Sequence, residues 1–407
     1  MASARLSYDV AVLGGGAAGL AAAVSAASQG ARTLLIEKYG FLGGMATAGM
    51  VGTICGLYHN AIEGPPRPLN AGFPELVARR LAGLPGCQQP VRHGRVFVLP
   101  YSAFAFACLA DQLTAERPSL DVWLHSYLVS ARVEADRVEA VEVADGDRRR
   151  EVSARAFVDA TGDAVLSGLA DVALDEAPPA ARQLPSLVFV MQGVDQDQLG
   201  GGRTVSVLRN LAQAEAEGRL PPGSSNLALR LTGQPGEAIA KLALDGLHCG
   251  TADDMTIAER EGRRRVAAVA RFLVENIPAF RNSFLSHTAP QVGVREGRRI
   301  LGRYRLTRED VLLGRSFEDG LVRAAWPIEL WEPRKTGASF EYLEDGASYQ
   351  IPLRALRPPG LDNIFAAGRC LSASHEAAGS ARVIGTCLAV GDAVGRIAAE
   401  CAGGRTP

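Results

Sequence analysis

Residues 8–49 read YDVAVLGGGAAGLAAAVSAASQGARTLLIEKYGFLGGMATAG, and their order decides the fold. Val10–Leu13 is an apolar run of the kind that forms a buried parallel strand. Gly14, Gly16 and Gly19 follow in G-x-G-x-x-G spacing, then an alanine-rich helix to about Gly30. A second apolar run, Thr33 to Ile36, ends on an acid, Glu37, 23 positions after Gly14. Gly14 permits a tight turn, Gly16 lets the backbone approach a pyrophosphate, and Gly19 lets helix and strand pack closely. The helix start at Ala17 and Ala18 offers unpaired N–H groups and about half a positive charge. Glu37 is placed to accept from ribose hydroxyls, and its charge disfavours a 2′-phosphate. These residues predict a βαβ dinucleotide site and leave FAD or NAD open.

The remaining composition narrows the function. With 407 residues the chain buries a large core and is expected to form two domains. Forty-three basic residues stand against 44 acidic ones, so no overall charge draws the chain to nucleic acid or an anionic membrane. The seven cysteines are scattered, with no C-x-x-C pair. That argues against a redox dithiol and for reduced thiols in a cytoplasmic setting. No secretory signal is expected at the N-terminus, and the apolar stretch at 10–27 is interrupted by the glycine turn, a poor membrane span. A homo-oligomer is left open, and no metal site is expected.

Beyond Glu37 and Lys38 come Gly43, Gly44, Met45, Ala46 and Thr47, a glycine pair and small residues suited to close approach by a flat ring. The run FLGGMATAG resembles FAD-dependent oxidoreductases of the glutathione-reductase superfamily. It is most similar to a bacterial FAD-dependent oxidoreductase family distantly related to fumarate reductase flavoproteins. The resemblance implies FAD as cofactor, with the glycine pair lying against the flavin nucleotide.

Further matches lie downstream. A helix is expected over 101–116, then short strands at 122–128, 130–135, 137–143 and 151–152, resembling the superfamily's three-stranded insertion. Ala156-Phe157-Val158-Asp159-Ala160-Thr161-Gly162-Asp163 then resembles the second FAD fingerprint, near the adenosine end. Ile364–Arg369, with Gly368 and Arg369, resembles the C-terminal strand that returns to the first one. A helix from about Val383 to Cys401 follows, with Gly385, Ala389 and Ala393 on one small face. In the superfamily such a helix start, here Arg382, Val383, Ile384 and Gly385, faces the flavin N1–C2=O edge. Gly368-Arg369 departs from the Gly-Asp of aromatic hydroxylases, and W-x-W-x-I-P of flavin halogenases is absent. Gly200-Gly201-Gly202 follows a polar stretch and is no second dinucleotide turn.

The fold expected is α/β: a Rossmann-like FAD-binding domain built from both chain ends, with an inserted α+β substrate domain. The first takes 1–55, 101–175, 291–313 and 350–407; the cover takes 56–100, 176–290 and 314–349. Without a second βαβ fingerprint to dock NAD(P)H, electrons are expected from a small organic substrate, passing as hydride to flavin N5, with oxygen or another acceptor downstream. His375 is the first candidate base, because imidazole titrates near neutral pH. Arg382 could steady the flavin or an acidic substrate, and His59, following the glycine-pair loop, could face the flavin. Cys55, His59 and His375 are conceivable covalent attachment points. Arg295, Arg298 and Arg299 could bind an anionic substrate or brace the cofactor domain with Glu296, and bracing is the expectation favoured. Three alternatives stand beside this reading: an NAD(P)H-dependent flavin monooxygenase or reductase, a non-catalytic FAD-binding partner protein, and an NAD-binding protein resembling thiazole biosynthesis enzymes.

Overall fold

The structure is a computed structural model and describes residues 6–199 and 204–405; Gly200-Gly201-Gly202 lies outside them. Strand β1 (Leu6–Leu13), helix α1 (Ala17–Ser28) and strand β2 (Thr33–Ile36) form the expected βαβ unit. Helix α2 (Ala103–Ala115) precedes β3 (Leu120–Trp123), and β4 (Tyr127–Glu134), β5 (Arg137–Asp145) and β6 (Arg148–Asp159) follow. After the second motif come β7 (Ser186–Gln192), β8 (Leu227–Leu231), β9 (Glu237–Ala243), α3 (Ala252–Asn276) and β10 (Phe284–Thr288). The chain ends with β11 (Ile328–Leu330), β12 (Ile364–Ala366), α4 (His375–Ala381) and α5 (Ile384–Ala402).

A parallel sheet in the order β3-β2-β1-β6-β12 carries the nucleotide motifs at its strand ends. Both faces of β1 are covered, as an unbroken apolar run requires. Val10 and Val12 enter one core with α1, and Ala11 and Leu13 enter the opposite one. The short strands expected at 151–152 and 156–159 are one twelve-residue strand, β6. Its first half pairs with β5 and its last three residues pair with β12. The meander therefore extends the sheet from β6.

Helices α1 and α5 cross almost backbone to backbone. A Cβ on Gly391 would lie 2.0 Å from the Ala18 carbonyl oxygen, and one on Gly395 would lie 2.2 Å from that of Ala22. The closest approach of the two helices is thus at Gly391 and Gly395, while Gly385 packs against the backbone at Gly56 and Leu57. A hydrogen bond from Ser25 Oγ to Asp392 at 2.6 Å pins the crossing.

The antiparallel sheet β8-β9-β7-β10 forms the cover. Strand alternation sends Leu187, Phe189 and Met191 of β7 and Ala238, Ala240 and Leu242 of β9 into a separate core shared with α3. Two segments expected in the cover also reach the first core. Helix Phe73–Ala82 and the stretch from Val322 to Tyr349 bury Phe73, Val77, Leu81, Val322 and Tyr349 in the first core.

Candidate functional site

One cavity of about 430 Å³ runs between the ends of the parallel strands and the cover sheet. Gly14 has φ of 97°, open to glycine, and a Cβ there would sit 2.5 Å from the Ala160 carbonyl oxygen. The first motif thus rests on the second. Gly43, at φ 111°, donates its N–H to the Gly15 carbonyl at 2.8 Å, and a Cβ on Gly44 would strike Gly16 Cα at 2.8 Å. A Cβ on Gly16 would meet nothing closer than 3.9 Å, so Gly16 opens on the cavity. Ala17 and Ala18 begin α1 with no side-chain cap, leaving the helix start to a ligand. Glu37 is buried, with Oε2 accepting the Gly15 N–H at 2.6 Å and Oε1 that of Tyr39 at 2.9 Å. Burial pushes its pKa up, against the pull of those N–H groups. A carboxylate oxygen accepts more than one donor, and Glu37 lines the cavity with Lys38, Met45 and Ala46.

Ala160, Thr161, Gly162 and Asp163 line the next wall. Buried Asp159 fixes that turn: Oδ1 accepts from Thr161 Oγ1 at 2.7 Å, and Oδ2 from the Ser167 N–H at 2.8 Å. The C-terminal turn clamps the same residues. Cys370 Sγ accepts from the Gly162 and Ala164 N–H groups at 3.2 and 3.3 Å. Arg369 donates to the Gly162 and Val294 carbonyls at 3.1 and 2.6 Å. Gly368, Arg369, Arg382, Val383 and Ile384 complete this wall, and α5 starts at Val383 with no side-chain cap.

Five expected residues do not line the cavity. Gly19 packs α1 onto the turn, since a Cβ would lie 1.8 Å from the Gly14 oxygen. Thr47 donates to the Leu42 carbonyl at 2.8 Å and is buried in its own loop. The Gly385 N–H is taken by the Cys55 carbonyl at 2.8 Å. His375 follows the Ser374 cap of α4, and its Nδ1 lies 2.9 Å from a Glu296 oxygen, so the imidazole braces a strap. Its pKa is raised by that hydrogen bond. The His59 backbone N–H donates to the Arg67 carbonyl, while burial and the charges of Arg323 and Arg67 lower the imidazole pKa. Closeness in sequence to a motif does not aim a side chain at it.

The far end is lined by Lys241 and Glu329, which motif reading missed, and by Arg295, expected to brace rather than to line a cavity, beside Cys55 and Arg382. Lys241 sits on β9 opposite Val188 of β7, and both line the cavity. The signal was one lysine in the alternating strand EAIAKLA, on the face turned from the core. The Trp331 ring has Lys241 Nζ 4.7 Å and Arg295 Cζ 4.4 Å from its centre. Glu329 accepts from the indole N–H groups of Trp326 at 2.9 Å and Trp331 at 2.7 Å. Both tryptophans are buried. Burial and then Arg295 bring the Lys241 pKa down to about 8. Burial and then Arg382 bring that of Arg295 to about 9. Burial opposes ionisation of Glu329, yet Arg382 and Lys241 hold its carboxyl below the usual range. Burial pushes the Cys55 thiol up to about 12, so it is no thiolate nucleophile at neutral pH.

The family model of the FAD dependent oxidoreductases matches residues 9–407. The chain belongs to this family. A geranylgeranyl bacteriochlorophyll reductase-like protein from Thermoplasma acidophilum is similar at 16% identity, over 97% of this chain and 79% of its own, with a TM-score of 0.50. An anhydrotetracycline hydroxylase from Streptomyces rimosus is similar at 12% identity, over 99% of this chain, with a TM-score of 0.50. This chain spans 64% of that hydroxylase's length. At such identities these likenesses speak for the shared fold alone. A comparison with curated proteins returned no match.

The cavity of this FAD-dependent oxidoreductase suits the cofactor of its family. Two long helices, α1 and α5, present uncapped N-termini at it, and three glycine turns leave room where side chains would intrude. Among the described residues no group of three or more His, Cys, Asp or Glu side chains could hold a metal ion. No single described helix is long and apolar enough to cross a membrane.

Proposed function

We propose that this FAD-dependent oxidoreductase oxidises a small organic substrate at the Lys241–Glu329 end of its cavity, with oxygen or another acceptor receiving the electrons. The observation that carries this reading is the continuity of the cavity, from the glycine cradle to a buried set of charged side chains on other elements. In this reading Gly14, Gly16, Ala17, Ala18, Glu37, Lys38, Gly43, Gly44, Met45 and Ala46 hold FAD from one side. Ala160–Asp163, Gly368, Arg369, Val383 and Ile384 hold it from the other. Bound flavin supplies two-electron redox chemistry. The protein's share is to seat the substrate, exclude water and take a proton.

Lys241 Nζ is the proposed proton acceptor. It lines the cavity, unlike His375 and His59, and its pKa of about 8 makes the free amine accessible near neutral pH. The groups that set this value are Arg295, Glu329, Cys55 and Arg382, after burial itself. A base acts unprotonated, so the rate of anaerobic flavin reduction by substrate should climb with pH and level off above about 8. Lys241→Met should lower that rate ~10²–10⁴-fold, the usual worth of general base catalysis, and flatten the profile. Rapid flavin reduction by NADH or NADPH alone would overturn substrate oxidation in favour of a reductase or monooxygenase.

A further inference from the structure

We infer that the substrate of this site carries an anionic group, a carboxylate by chemistry, held by the guanidinium groups of Arg295 and Arg382. This rests on the reading that the Lys241–Glu329 end takes the substrate. The charges there do not balance. Arg295 is 9% exposed, and it and Arg382 line the cavity beside the Glu329 carboxylate; Glu296, the other carboxylate acting on Arg382, is already paired with Arg299 and His375. Even with Lys241 neutral, two guanidiniums face one carboxylate; with Lys241 protonated the excess grows. Glu329 is engaged elsewhere, its two oxygens accepting from the indoles of Trp326 and Trp331.

Among the described residues, the hydrogen bonds of both arginines go to uncharged acceptors. Arg295 donates to the Leu184 carbonyl. Arg382 donates to Gln183 Oε1 at 3.0 Å and to the Glu329 backbone carbonyl at 3.3 Å. Arg382 Nε and Gln183 Nε2 are buried with no acceptor. Other buried arginines of this chain show the alternative: Arg299 meets Glu296 at 2.6 Å and Asp175 at 3.2 Å. Leaving a buried cation without a counter-charge is costly, so the missing charge belongs to a ligand. The uncapped start of α5 at Val383, the residue after Arg382, adds to the positive field.

The cofactor does not cancel this excess. The two phosphates of FAD suit the glycine cradle at α1, built by other elements, and an oxidised isoalloxazine is neutral. A planar guanidinium pairs with a carboxylate through two parallel N–H donors, so a carboxylate uses these groups better than a neutral amide does.

The test is a titration of the purified, FAD-loaded protein at pH 7, following the absorption spectrum of the oxidised flavin. The probes are acetate and benzoate against their neutral amides, acetamide and benzamide. At least one carboxylate should perturb the spectrum saturably, at least ~10-fold more tightly than its amide. Arg295→Met should erase that preference and Arg295→Lys should restore part of it, with FAD content and melting temperature recorded for each. Should Arg295→Met fail to fold, Arg382→Lys, which keeps charge and loses the fork, should reduce the preference by ~3-fold or more. Equal binding of acid and amide, no spectral response to either acid, or an unchanged preference in the variant that folds would overturn the inference. Substrate oxidation is judged separately: selective carboxylate binding alongside rapid reduction by NADPH alone would sink that reading and leave this one standing.

Discussion

His375, Glu296 and Arg299 show how much one buried carboxylate can carry. Glu296 is 6% exposed, with Arg299 at 2.6 Å and the His375 imidazole at 2.9 Å. Burial alone would raise the Glu296 pKa, but His375 and Arg299 hold it well below its ordinary 4.5. Its stabilising effect is present above 4.5 and lost as pH falls through the lowered value. The His375 pKa is raised above 6.5, so its contribution is full below 6.5 and lost as pH rises through the raised value. The pair is therefore at full strength between about 4.5 and 6.5. Melting temperature followed from pH 6 to 9 should decline, and His375→Gln should remove that part of the decline while leaving flavin reduction by substrate in place. Glu296→Gln should cost more, about 3 kcal/mol by urea unfolding, because it leaves Arg299 with Asp175 alone. An imidazole next to a cofactor motif looks catalytic in a sequence; only the fold reveals that a carboxylate 79 residues away has engaged it.

At the scale of elements, the crossing of α1 and α5 joins the two ends of the chain. Ala18 and Ala22 on one helix meet Gly391 and Gly395 on the other, each pair one turn apart. Gly391→Ala would force a methyl to 2.0 Å from the Ala18 oxygen, with backbone on both sides and no side chain to yield. The helices must separate, which should cost at least ~1–3 kcal/mol. Because Ala18 also lines the cavity, the variant should bind FAD more weakly as well, measurable by flavin retention on gel filtration. The alanine-rich composition of 17–28 announced a helix that something approaches closely. It did not name the partner. Likewise β6 read as two short strands, because its middle residues Ser153–Arg155 are polar or small on a face that solvent partly reaches.

For the whole molecule, the cavity is walled by segments near 14–55, 160–176, 186–188, 241–255, 291–298, 329 and 367–387. No one segment holds the site, so the cofactor should act as a linkage between them. FAD at 100 times its dissociation constant should stabilise the fold by about 2.7 kcal/mol, and stripping it should lower the melting temperature accordingly. Limited proteolysis should then cut the cover, residues 186–288, faster in the stripped protein than in the loaded one. The glycine turns, the acid after β2 and the second motif were legible in the sequence because they are local. Each is set by what a tight turn or a helix start requires of adjacent residues, and the chain belongs to the FAD dependent oxidoreductases. The proposed substrate end was legible only at Arg295 and Arg382. Lys241, Arg295 and Glu329 lie on three separate stretches of chain, and their meaning is a shared surrounding rather than a spacing. Sequence alone determined the glycine turns at the strand ends, since φ angles and close approach leave few residue choices. Only the tertiary structure decided which charges meet in the cavity, because burial and counter-charge depend on neighbours that the order of residues does not bring together.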